Sequence, residues 1–408
     1  MPSTISSLCL EGANTGENFE RNTKSRLETN PRATTEAAGL FTDDLILEIL
    51  SRLPARSLHR FKCVSILWRD LIADPANRKM LPQTLAGFLY TSYRNGHRHH
   101  FASVSGSAAP FDPSLPYLQP SKYKDMAVID ACNGLLLYRG SNKNKVAPWD
   151  WAEDDGRFVV CNPATARWVE LPTKPAAPEI RYSLTAALAF DPAVLSHFHV
   201  LHFEEDYLAN YMTGVSIYSS WTGAWWRRGN SGMVEKVPPY FRSKCVFAGG
   251  IMYVIGELAD INTGNEYVLV GVDVEGKEWK TIRVPYCSRF CTIGLSQGCL
   301  HYAVANNEIP VPEITLWCLK DCVSKEFILK HTASMDKLLS MTRMKYKVVE
   351  IHPDCDTIFF VSYGGATLAA YDMRHQKVGC ILNLENSTQR FLPYVPLFSE
   401  PLADADGQ

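Results

Sequence analysis

From Leu85 onward the chain repeats itself roughly every fifty residues, and that period leaves few folds open to it. Five segments share one shape: an apolar run, a polar turn, then an aromatic or aliphatic residue opening the next run. They are 159–169, 215–227, 269–280, 315–328 and 368–379, with Trp168, Trp225, Trp279, Phe327 and Val378 as the opening residues. Each follows a similar pair of short runs, at 126–139, 186–204, 245–257, 291–304 and 348–364. Alternating runs bounded by Gly, Pro, Asn and Asp are strands and hairpins. Four strands recurring at that spacing match the blades of a β-propeller. Blade faces are buried against neighbouring blades, so a large apolar residue at a fixed place predicts core before any ligand contact. Strands expected at 87–93, 100–105 and 391–399 make a further blade from both ends of the chain, which closes the ring and removes open sheet edges. About six blades are expected, with an irregular or incomplete ring as the alternative.

The stretch 41–80 has a different period. Thr42 or Asp43 is a good N-cap, and Asp43 and Asp44 place negative charge at a helix start. Leu45, Ile46, Ile49, Leu50 and Leu53 then form one helical stripe, and Pro54 ends it. A second helix is expected from about Arg56, showing Leu58, Phe61 and Val64. Ser65 can cap a third, which shows Leu67, Trp68, Leu71 and Ile72 before Asp74-Pro75 stops it. About twelve large apolar side chains in roughly thirty residues are more than so small a unit can bury. Such a unit either caps the rest of the chain or offers its surplus to a partner.

In order, an acidic helix start, L-I-x-x-I-L-x-x-L-P, S-L-x-R-F-x-C-V-S and W-R-x-L-I resemble an F-box. The motif positions fall on Leu45, Ile49, Leu50, Leu53, Pro54, Leu58, Phe61, Val64, Ser65, Trp68, Leu71 and Ile72. Thr42 stands where many members have proline, and Ile66 where lysine is common. Neither departure removes an apolar anchor. In the repeated region, C-N-G-L-L at 132–136, V-x-N-P-A-T at 160–165 with Trp168, and F-D-P at 190–192 resemble the F-box-associated domain of plant F-box proteins. Gly249-Gly250 with Tyr253 and Trp279 resembles one kelch repeat, although no other unit keeps the double glycine there.

The fold class expected is α+β and multidomain: a small three-helix unit, then an all-β propeller-like domain. The boundaries read as a disordered tail at 1–38, the F-box at 39–80, a connector at 81–86, the β domain at 87–398 and an acidic tail at 399–408. Net charge near −2 over 408 residues gives no support for nucleic-acid or anionic-membrane binding. No leader-like start and no spanning apolar run is visible, and the twelve cysteines show no tight pairs. A reducing compartment, cytoplasm or nucleus, follows as the expectation.

Motifs of catalysis and metal binding mostly fail on context. Gly294, Ser296 and Gly298 spell G-x-S-x-G, but between two strand-like runs they read as a hairpin and not as a strand-to-helix elbow. Cys287, Cys291, Cys299, Cys318 and Cys322 lack paired C-x-x-C spacing. His97, His99 and His100 fit an exposed loop, and Asn386 opens a glycosylation sequon by letter only. No catalytic set, metal or cofactor is expected.

What the resemblance implies is a non-catalytic receptor subunit of an SCF-type cullin-RING ubiquitin ligase. A Skp-type adaptor, and through it cullin, would bind Leu45, Ile46, Ile49, Leu50, Leu53, Pro54, Leu58, Phe61, Val64, Trp68 and Leu71. An unknown protein target would bind loops at one end of the ring. Three alternatives stay open: a propeller for a glycan or small molecule with the helices as a cap, a hydrolase using Ser296, and an F-box protein acting outside a ligase. Trp149, Trp151, Glu153, Asp154, Asp155, Trp221, Tyr240 and Arg242 stand in exposure-prone contexts, and no target site is assigned to them.

Overall fold

The computed structural model describes residues 42–53, 57–58, 61, 64–74, 77, 80–81, 85–92, 98–104, 106, 108–118, 126–141, 154–175, 185–192, 197–206, 211–229, 236–238, 244–260, 264–286, 290–306, 313–320, 325–336, 346–362, 367–383 and 391–397. The chain divides into two compact units, 1–46 and 47–408. The tail expected at 1–38 and the acidic end at 399–408 lie outside the described residues.

Two helices stand among the described residues, α1 (Asp43–Ser51) and α2 (Ile66–Ala73). The middle one of the three expected helices falls largely outside them; its described residues Ser57, Leu58 and Phe61 have helical backbone. No helix among the described residues is long and apolar enough to cross a membrane.

Strands follow in the expected order. After β1 (Gly87–Ser92) and β2 (Arg98–Ser103) come five sets of four. The first is β3 (Met126–Cys132), β4 (Leu135–Ser141), β5 (Asp154–Asn162) and β6 (Arg167–Glu170). The second is β7 (Ala186–Ala189), β8 (His199–Asp206), β9 (Tyr211–Ser219) and β10 (Ala224–Gly229). The third is β11 (Cys245–Ala248), β12 (Ile251–Asp260), β13 (Gly264–Asp273) and β14 (Trp279–Arg283). The fourth is β15 (Cys291–Ser296), β16 (Cys299–Asn306), β17 (Glu313–Leu319) and β18 (Phe327–Ser334). The fifth is β19 (Tyr346–Ile351), β20 (Thr357–Ser362), β21 (Thr367–Asp372) and β22 (Lys377–Asn383), and β23 (Phe391–Tyr394) comes last.

Each set forms one antiparallel four-stranded sheet, and β23 joins β1 and β2 in a three-stranded one. The C-terminal strand pairs in register with the N-terminal one, Gly87 opposite Tyr394 and Tyr90 opposite Phe391. Strands β3, β7, β11, β15, β19 and β23 touch one another in succession, and β23 touches β3. The six sheets therefore close a ring with these strands innermost. Among the described residues the core is six apolar clusters, one in each space between neighbouring blades. Leu137 and Val200 share one cluster, Met252 and Phe203 another, and Tyr253 and Ile293 a third. Leu316 and Phe360, Phe88 and Phe359, and Leu89 and Leu136 mark the remaining three. Full burial of one such side chain stabilises by roughly 1.5–3 kcal/mol, so every blade depends on both neighbours.

Local chemistry explains the repeat. The turn joining each blade's third and fourth strands carries one left-handed residue shortly before the opening residue: Ala166, Gly223, Gly276, Lys325 and Gln376. In four blades the last residue of the third strand caps that turn. Asn162 accepts from the Ala164 amide at 3.1 Å, Ser219 from Trp221 at 3.2 Å, Asp273 from Lys277 at 2.7 Å and Asp372 from Arg374 at 2.9 Å. Trp168, Trp225, Trp279, Phe327 and Val378 all pack on an inter-blade cluster, although only Trp279 is buried.

Candidate adaptor helices and target-binding ring

Helix α1 begins as its sequence demands. Thr42 accepts the Leu45 amide on its hydroxyl at 3.4 Å and the Ile46 amide on its carbonyl at 3.0 Å. Leu45 (44%) and Ile49 (39%), one turn apart, are exposed, whereas Ile46 and Leu50 are buried and Leu53 is half-buried. In α2, the Ser65 hydroxyl accepts the Trp68 amide at 3.1 Å, the expected cap. Trp68 stacks on Phe61 with ring centres 5.1 Å apart. Both rings and Leu71 are half-buried, Leu58 and Ile72 are buried, and Val64 is exposed. Pro54 lies outside the described residues.

The structure thus sorts ten of the eleven candidates. Leu45, Ile49 and Val64 present open apolar surface, while Ile46, Leu50 and Leu58 can act only from behind it. Three further apolar residues that the expected adaptor set left out are exposed: Ile66 at 70%, Leu67 at 40% and Met80 at 52%. Ile66 follows the cap directly, and an apolar residue at that place was the available signal.

Hairpins alternate around the ring, so its two ends differ. One end carries tight turns. Asn133-Gly134, Gly249-Gly250 and Gln297-Gly298 each have two successive positive φ values, the backbone of a two-residue hairpin that matches strand twist. Three suggestive motifs therefore reduce to one turn: C-N-G, the kelch-like double glycine and the end of G-x-S-x-G. Ser296 is a buried strand residue whose hydroxyl donates to the Cys355 carbonyl at 3.4 Å, with a hairpin and no helix after it. Gly294 leaves room for the next blade, since a Cβ there would stand 3.0 Å from the Ile351 Cβ and 3.3 Å from Glu350 Oε1. Glu350 is buried and paired with Lys244, which reaches it from two blades away.

The other end carries longer connections such as 142–153 and 337–345, which lie outside the described residues. So do Trp149, Trp151, Glu153, Tyr240 and Arg242, along with Cys287, Cys322, His97 and Asn386. Asp154 and Asp155 open β5 as backbone. Trp221, 77% exposed, tops the β9–β10 turn at the tight-turn end. His99 bonds Thr91 at 3.2 Å across β1 and β2. Between the fourth and fifth four-stranded blades, buried Asp356 accepts from Lys330 (2.6 Å), His331 (2.9 Å) and Gln297 (2.9 Å). Burial would raise its pKa, but those three donors outweigh it and hold the carboxyl well below its usual range.

Known families match both parts of this architecture. The family "F-box protein At3g26010-like, beta-propeller" matches residues 105–393, and the F-box domain matches 40–80. Among relatives in Arabidopsis thaliana, F-box protein At5g07610 is 28% identical over 65% of this chain and 64% of its own length. F-box protein At2g16450 is 24% identical over 67% and 65%, and F-box protein At1g30790 is 26% identical over 70% and 73%. The chain thus covers less than two-thirds of the length of At5g07610 and of At2g16450. A solved structure, the family 117 glycoside hydrolase Zg3597 of Zobellia galactanivorans, aligns at 13% identity over 52% of this chain and 69% of its own. Its TM-score is 0.34. With a closed six-bladed ring behind an F-box match, this chain belongs to the plant F-box proteins that carry an At3g26010-like β-propeller.

Proposed function

We propose that the protein is the target-receptor subunit of an SCF-type cullin-RING ubiquitin ligase, acting in the cytoplasm, the nucleus or both. The unit at 39–80 binds a Skp-type adaptor, and the domain at 87–398 holds a target protein. The observation that carries this reading is apolar surface left open within the F-box match, at Leu45, Ile49 and Val64. Leu53, Phe61, Trp68 and Leu71 contribute from its margins, with Pro54 shaping the helix end and Ile46, Leu50 and Leu58 supporting from inside. A few buried apolar anchors dominate an interface of this kind.

The receptor positions and does not catalyse. Holding a target lysine beside a charged ubiquitin carrier raises its effective concentration and turns an encounter into a nearly intramolecular step. The test is calorimetric titration of the full chain with purified Skp-type adaptor. Wild type should bind, and Ile49→Glu with Val64→Glu should weaken binding at least about tenfold while the thermal melt stays unchanged. Both positions are exposed, so the variant keeps its core. A well-folded wild type that ignores the adaptor would overturn the reading.

A further inference from the structure

The outer strands of the blades are β2, β6, β10, β14, β18 and β22, each the end of its sheet. An outer strand leaves backbone N–H and C=O groups unpaired on one side, and proteins usually blunt such edges with charge. Arg227 and Arg228 do so on β10, Lys280 and Arg283 on β14, and Lys377 on β22. Strand β18 is different. At eight residues it is the longest of the six, and it exposes Ile328 (53%) and Leu329 (46%), one on each face of the strand. Among the described residues, no other outer strand exposes a large apolar side chain.

Beside those residues sits unbalanced positive charge. The register skips Lys330: His331 stands opposite Leu316 and Leu329 opposite Trp317, so Lys330 is the extra residue of a bulge. Its amine lies 2.6 Å from one oxygen of Asp356, with His331 at 2.9 Å and Arg374 at 3.6 Å from the other. Two permanent cations thus share one buried carboxylate, and Arg374 is 70% exposed. Glu326 and Asp336 flank the strand beyond its two ends.

We propose that β18 is the docking edge for an extended segment of a partner protein that carries a carboxylate among apolar residues. Its backbone would pair with the open side of 327–329, and its apolar side chains would cover Ile328 and Leu329. The bulge ends the pairing at Lys330, where the carboxylate meets the surplus charge of Lys330 and Arg374. That the partner is a ligase target rests on the function proposed above; the docking edge itself does not.

The probe is a fluorescein-labelled peptide with a short valine run followed by two glutamates, titrated by anisotropy against the full chain. A matched peptide with lysine for glutamate is the control. The glutamate peptide should saturate, and Ile328→Ser with Leu329→Ser should weaken it at least about tenfold with an unchanged melt. Arg374→Glu should weaken the glutamate peptide and favour the lysine one. Equal binding of the two peptides by wild type, no saturation, or an unaffected double variant would overturn the proposal. So would a dimer that depends on Ile328 and Leu329 in a chain that ignores the peptide. Adaptor binding is a separate readout: a folded wild type that binds the peptide but ignores the adaptor would sink the ligase reading and leave this edge standing.

Discussion

Gly134 and Gly298 occupy equivalent hairpin turns, with φ of +87° and +75°, yet their surroundings differ. A Cβ on Gly134 would stand 2.3 Å from the Leu397 Cβ and 2.7 Å from the Val395 carbonyl oxygen, whereas one on Gly298 would meet open space. Gly298→Ala should therefore cost only the backbone strain, about 1 kcal/mol, and Gly134→Ala roughly 2–4 kcal/mol because Leu397 must also move. Urea midpoints of the two variants check the ranking. Titration gives a second prediction at this scale. Burial pushes the Glu205 carboxyl up from 4.5 to about 7. Its folded form holds the proton longer than the unfolded chain does, so its contribution is present below pH 4.5 and fades as pH rises toward 7. Burial, with the His197 charge beside it, moves His199 the other way, from 6.5 to about 4. There the unfolded chain takes the proton first, and stability falls as pH drops from 6.5 toward 4. Glu205→Gln should flatten the first slope and His199→Phe the second, in melts recorded across that range.

The elements differ in how much local sequence holds them. Helix α2 has a complete cap in Ser65, and Asn77 donates to the Leu71 carbonyl at 3.1 Å near its end. Ser65→Ala should weaken it by about 1 kcal/mol, read as faster amide exchange at 67–69 and not as global unfolding. Most of the strands were legible because their alternation and turn residues agree. Asn133-Gly134, Gly249-Gly250 and Gln297-Gly298 set hairpins whose register leaves Leu135, Met252 and Leu300 buried. Exposure along the outer strands was not legible. Ile328 and Leu329 read as ordinary strand hydrophobes, and only the end position of β18 in its sheet leaves them open.

For the whole molecule, β23 closes the ring. Its four residues pair with β1 and touch both β3 and β19. Deleting 391–408 would remove the inner strand of the closing blade and strip Leu392 and Tyr394 from one inter-blade cluster and Phe391 from another. The truncated chain should lose its single cooperative melt and become sensitive to protease throughout the propeller, because every blade relies on two neighbours. A truncation that melts like wild type would show that the ring does not need closure.

Sequence alone determined the period, the pairing of strands within each blade, the use of both chain ends in one sheet, and the caps of α1 and α2. These depend on residues near one another along the chain, or on a pattern repeated often enough to read. Tertiary structure decided which of Leu45, Ile46, Ile49 and Leu50 face outward, why Gly294 has no side chain, and which outer strand leaves apolar side chains open. Each of those turns on residues brought together from distant parts of the chain, and an apolar residue looks the same in sequence whether its neighbour in space is another blade or water.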